Sequence, residues 1–91
     1  MLFLVISTPA PSKSSDVKDA RKQFRAWIGS LRNAKKVVSF YPRVGRGSVV
    51  IFDVFSNDEL HELTTQWADI VPAHFDIFPL ATPGAAEKLL Q

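Results

Sequence analysis

Residues 2–7, LFLVIS, are apolar at every position but Ser7. A run this short and unbroken predicts a strand buried on both faces. Pro9 and Pro11 are expected to end it, because proline has no N–H for the ladder. From Val17 the spacing changes. Val17, Ala20, Phe24, Trp27, Ile28 and Leu31 recur at steps of three and four, with Lys18, Arg21, Lys22, Arg25 and Arg32 on the other side. That is an amphipathic helix. Ser14 or Ser15 is its expected cap, Asp16 and Asp19 sit where the helix dipole favours them, and Asn33 or Ala34 ends it. Gly29 falls on the outer face. Residues 35–44, KKVVSFYPRV, predict a second strand with Val38, Phe40 and Pro42 on one side and Val37, Ser39, Tyr41 and Arg43 on the other. Pro42 marks an edge strand or a bulge. Gly45-Arg46-Gly47 is a hairpin signal, and SVVIFDVF at 48–55 reads as a central third strand. Ser56 and Glu59 form a capping box ahead of an inward stripe of Leu60, Leu63, Thr64, Trp67 and Ile70 or Val71. Pro72 closes that helix, and HFDIFPL at 74–80 makes the fourth strand.

The order β-α-β-β-α-β is the ferredoxin-like split arrangement of the α+β class. Right-handed crossovers place two helices on one face of a four-stranded antiparallel sheet. The other face is then bare. Strand one alternates Leu2, Leu4, Ile6 with Phe3, Val5, Ser7, and strand three is apolar on both sides except for Asp53, so two helices cannot cover both sets. A contiguous apolar face of this kind marks an interface. At roughly 25 cal/mol per Å² of apolar area, a standard-sized contact would supply stabilisation comparable with the margin of a small domain. A homo-oligomer is therefore expected. Residues 1–81 form the one expected domain. Residues 82–91 form a tail that makes one or two helical turns or lies across a neighbouring subunit.

Composition narrows the chemistry. The 91 residues include no cysteine, which excludes disulfides, thiolate metal sites and cysteine nucleophiles. His61 and His74 are too far apart to suggest zinc, and no metal or cofactor is expected. The net charge of +2 hides an asymmetry: residues 1–46 carry ten basic and two acidic side chains (+8), residues 47–91 one basic and seven acidic (−6). The halves are expected to complement each other within the domain or across a subunit contact. The basic helix face lacks interleaved aromatics, and no strand carries an RNP-like run, so nucleic acid is not an expected partner. MLFLVIS is too short for a signal peptide or a membrane span, and nothing longer follows, so no membrane is expected and the cytoplasm is the default location.

Several segments together resemble the muconolactone isomerase family. These are MLFLV at the start, GSVVIFDVFSNDELHELT at 47–64 and HFDIFPL at 74–80, with Ile51-Phe52-Asp53-Val54 and Ser56-Asn57-Asp58-Glu59-Leu60-His61 at the centre of the likeness. The resemblance implies a dimeric α+β barrel in which two sheets pair face to face, and an active pocket between the sheet and the neighbouring chain. It also implies cofactor-independent proton transfer on a small ring compound from aromatic degradation. Where muconolactone isomerase has a histidine, an arginine and a last-strand acid, this chain has Leu4, Ile6 and Phe78. The implied activity is thus that of an isomerase or cyclase on a mostly apolar ring compound. A non-catalytic ligand-binding or assembly protein, and a cofactor-free monooxygenase of the dimeric barrel group, are the rival readings.

Proton transfer needs a base, and a donor or cation for the enolate. Asp76, with His74 two residues before it on the same strand face, is the candidate base pair. Asp53 is a second carboxylate in an apolar strand. Tyr41 and Arg43, read on one face of strand two, are candidates for holding a carboxylate or enolate. Each has a bland alternative: a strand-end carboxylate for Asp53, a solvated pair for Asp76 and His74, an edge tyrosine and a rim arginine for the last two. Arg46 reads as a hairpin charge, His61 as a packing or capping residue, and Trp27 and Trp67 as core side chains able to wall a cavity.

Overall fold

The computed structural model describes residues 1–90; Gln91, the end of the expected tail, and the side chain of Ser14, one of the two expected caps, lie outside the described residues. The elements run β1 (Leu2–Pro9), a 3₁₀ turn (Ser14–Val17), α1 (Lys18–Asn33), β2 (Val37–Pro42), β3 (Ser48–Asp53), α2 (Asn57–Ile70), β4 (Ala73–Leu80) and α3 (Pro83–Lys88). The strands form one antiparallel sheet in the order β2-β3-β1-β4. This is the ferredoxin-like α+β fold, with β3 and β1 central as their apolar runs require. No helix among the described residues is long and apolar enough to cross a membrane.

Alternation sorts the strands. Phe3, Val5 and Ser7 of β1 and Ser48, Val50 and Phe52 of β3 are buried beneath the helices, whereas Leu2, Leu4, Ile6, Val49 and Ile51 are half-buried on the open face. α1 contributes Phe24 and Ile28 to the core, and α2 contributes Leu60, Leu63 and Trp67. Trp67 is the keystone. It is 1% exposed, with ring centroids of Phe24, Phe52 and Phe75 at 5.1, 6.1 and 4.9 Å. Trp27 is only half-buried and donates Nε1–H to Gln66 Oε1 at 3.0 Å.

Four local expectations change. β1 runs on to Pro9, because beyond Ile6 it pairs only with β4, where Pro9 lies opposite Ala73. In β2 the register shifts between Val37 and Ser39: Val37 faces Phe52 and Ser39 faces Ile51 across β3. Val38 is the extra residue of this bulge. Val37 therefore joins Phe40 on the helix side, while Ser39 and Tyr41 take the open face. The entry to α1 is a 3₁₀ turn leading to Val17 at the N-cap, with no side-chain capping bond. β3 stops at Asp53, short of the expected Phe55, and Val54 N–H is taken by the Met1 carbonyl.

The capping box does form, with a variation. Glu59 N–H donates to Ser56 Oγ at 3.1 Å, but the Glu59 carboxylate reaches past Ser56 to accept from Phe55 N–H at 3.0 Å. Lys36 Nζ donates to the same carboxylate at 3.0 and 3.2 Å. First the Lys36 hydrogen bond and then that of Phe55 hold the Glu59 carboxyl below the usual glutamate range. The tail forms α3, capped by Thr82 Oγ1, which accepts from Ala85 N–H at 3.3 Å. Every residue from Ala81 to Leu90 is exposed.

Candidate functional site

The tightest junction outside the core lies where the β2–β3 hairpin folds onto the end of β1. Ser48 N–H donates to Ser7 Oγ at 2.9 Å, and both residues are buried. Gly45 and Gly47 have φ of +91° and +103°. A Cβ at Gly47 would also collide with the Ser7 carbonyl oxygen. Only glycine combines that backbone conformation with so close an approach. The turn delivers two arginines across β1. Arg43 Nη1 donates to Ser7 O at 2.9 Å and to Thr8 Oγ1 at 3.0 Å. Arg46 Nη1 donates to Ala10 O at 2.8 Å and to Ser12 Oγ at 2.7 Å.

Between this hairpin and α1 lies a cavity of about 100 Å³. Phe24, Phe40 and Trp67 give it an aromatic lining, and Arg21, Arg25, Arg43 and Arg46 supply the charge. Arg21 and Arg25 come from consecutive turns of α1, so they share a face. Among the described residues no carboxylate lines the cavity. The ion pairs among the described residues are Met1–Asp53, Lys36–Glu59 and His74–Asp76, and none involves an arginine. Lys36–Glu59 is therefore the one side-chain ion pair that joins the basic and acidic halves. The charge asymmetry is mostly left uncompensated within the described chain. The cavity is smaller than the apolar one of about 150 Å³ that accommodates benzene, so it takes part of a ring or a smaller group.

Of the five candidate residues read from the sequence, Arg43 alone lines this cavity. It is also separated from Tyr41: Arg43 turns to the end of β1, while Tyr41 pairs with Val49 on the open face, 66% exposed and without a side-chain hydrogen bond among the described residues. β2 ends at Pro42 and Arg43 belongs to the tight hairpin, which divides a pair that simple alternation joined. His74 and Asp76 do share a face. They lie opposite Thr8 and Ile6 of β1, with His74 Nε2 3.2 Å from Asp76 Oδ1, both exposed. Phe78 and Leu80 continue this face opposite Leu4 and Leu2. Asp53 meets the Met1 ammonium at 3.3 Å beside a shallow depression that includes Phe55. The cavity that Arg43 lines is on the helix side, opposite the face where the family resemblance put the pocket.

Arg21, Arg25 and Arg46 are not among the candidates read from the sequence. Arg21 and Arg25 read there as a solvated helix face or a contact to the acidic half of another subunit, and both are exposed; Arg46 reads as a hairpin charge. The only sequence signal was the i, i+4 spacing of Arg21 and Arg25, which is common on ordinary surface helices. Trp67 was read as core and also walls the cavity.

A family profile described as "Domain of unknown function (DUF3303)" matches residues 1–91. A search of curated proteins finds no match. Among solved structures, the chain is similar to 5-chloro-2-hydroxyhydroquinone dehydrochlorinase (TftG) from Burkholderia phenoliruptrix AC1100, in complex with 2,5-dihydroxybenzoquinone. The TM-score is 0.66 and the identity 19%, over 93% of this chain and 98% of that one. At that identity the likeness supports the fold. The resemblance to muconolactone isomerase likewise stands at the level of fold.

Proposed function

The chain belongs to the DUF3303 family, and from that footing we propose that it is a homo-oligomeric, cofactor-independent enzyme of the isomerase or cyclase type, acting by proton transfer on a small ring compound. The observation that carries this reading is the small cavity on the helix side, with Phe40 beside it and arginine residues from α1 and from the β2–β3 hairpin in its lining. In such a site the apolar wall limits water, while the cations meet the oxygen on which charge develops as a proton leaves. Among the described residues no carboxylate or imidazole lines the cavity to act as base. The reading therefore favours compounds whose own acidic ring hydroxyl supplies the anion, which need none. TftG, named as acting on a chlorinated hydroxyhydroquinone and seen with a dihydroxybenzoquinone, lends this its substrate class. The half-buried apolar open face favours pairing with a second copy, sheet to sheet.

A second reading rests on His74 and Asp76. A carboxylate 3.2 Å from an imidazole nitrogen orients it as a general base. Covered by a second sheet, this pair would work between subunits on the open face. One experiment separates the two. Hydroxyquinols and unsaturated lactones are incubated with the protein in heavy water, and deuterium entry into ring carbons is followed by NMR, with oxygen uptake recorded in parallel. The cavity reading expects Arg43→Gln to abolish exchange and His74→Ala to spare it; the open-face reading expects the reverse. Absence of exchange across the series sinks both, and substrate-dependent oxygen consumption points to the monooxygenase alternative.

A further inference from the structure

We infer that the cavity between α1 and the β2–β3 hairpin is a site for a small compound carrying two anionic groups, such as a dicarboxylate. The inference rests on the cavity being the ligand site, as proposed above, and does not require turnover. Four arginine residues line one space with no acid among the described residues of its walls, and none has a carboxylate partner among the described residues. A guanidinium presents a planar fork that fits a carboxylate. A single negative charge leaves most of this set unmatched, so the site favours an anion with more than one.

The four divide by wall and by mobility. Arg43 and Arg46 are anchored through Nη1 to carbonyls and hydroxyls of residues 7–12, which fixes their position and leaves their other N–H groups for a ligand. Arg21 and Arg25 make no side-chain hydrogen bond among the described residues, and both are exposed, so they are free to close from α1. Two arginines anchored at the hairpin and two unanchored ones on α1 offer a ligand two separate places for acidic groups. The apolar character of Leu4, Ile6 and Phe78, which pointed to a mostly apolar ligand, has no bearing on this cavity, because those side chains lie on the opposite face of the sheet.

The test uses benzene-1,2-dicarboxylate, benzoate and the dimethyl ester of the dicarboxylate, titrated calorimetrically into the full chain at low and at physiological salt. The dicarboxylate should bind about tenfold or more tightly than benzoate, as one further charge-assisted pair gives. The neutral ester should bind weakest, and added salt should weaken the dicarboxylate most. Arg25→Gln and Arg43→Gln should each weaken the dicarboxylate about tenfold, while Arg32→Gln, at the far end of α1 and outside the cavity lining, leaves it unchanged; thermal unfolding confirms that each variant is folded. Equal binding of ester and dicarboxylate, no binding of any probe, or equal losses in Arg32→Gln and Arg25→Gln would overturn the inference. Tight dicarboxylate binding with no ring-proton exchange in any compound would retain it and remove the enzymatic reading instead.

Discussion

Replacing Trp67 by alanine tests how far one side chain holds core and cavity together. The indole is almost wholly buried, with Phe24, Phe52, Phe75 and Trp27 around it at centroid distances of 4.9 to 6.1 Å. Truncating a buried tryptophan costs about 3–5 kcal/mol in lost transfer energy and residual cavity. The upper part of that range applies here. The neighbours are rings anchored on β3, β4 and α1, which cannot all collapse into the space. A chain of this length has a total stability of roughly 5–14 kcal/mol, so the substitution removes from a third to nearly all of it. Trp67→Phe keeps a ring against Phe24 and Phe75 and should cost about half as much. Urea unfolding followed by far-UV circular dichroism measures both at one fixed protein concentration, because association contributes to apparent stability. A loss under about 1 kcal/mol for Trp67→Ala, with an unchanged slope against urea, would refute the keystone assignment.

Three further outcomes are expected. Gly29→Ala should stabilise the chain by about 0.5–1 kcal/mol, seen as a rise in Tm, because an added Cβ meets nothing within 4 Å there. Glu59 is held below its ordinary range by Lys36 and Phe55, so its contribution is fully present above the unfolded-state pKa and is lost as pH falls through the lower folded one. Glu59→Gln should flatten that acid limb of the stability profile, and an unchanged limb counts against the assignment. Leu4→Glu places a charge in the middle of the open face, opposite Ile51 and Phe78. Sedimentation velocity should show a shift from oligomer to monomer, and a wild-type chain that is monomeric at micromolar concentration removes the paired-sheet proposal.

Local patterns carried the fold. Steps of three and four placed Phe24, Ile28, Leu63 and Trp67 inward, alternation placed Val5 and Phe52 opposite Leu4 and Ile51, and Ser56 with Glu59 marked the start of α2. These signals depend on each residue's neighbours within one or two turns, so the chain alone states them. The bulge at Val38 was not legible, because it depends on what β3 offers across the ladder. Nor was the division of Tyr41 from Arg43, which follows from β2 ending at Pro42 and the chain turning at Arg43.

The cavity was the least legible feature. Arg21 and Arg25 are separated from Arg43 and Arg46 by the second half of α1 and the whole of β2. Nothing in either segment announces that the hairpin will fold back over β1. That closure depends on Gly47 packing against the Ser7 carbonyl and on Ser48 binding Ser7 Oγ, both contacts between residues some forty positions apart. Periodicity and capping in the chain itself determined the elements, their order and the bare apolar face of the sheet. Only the tertiary structure decided which charges share a space, because that rests on long-range backbone contacts at one glycine and one serine rather than on any local pattern.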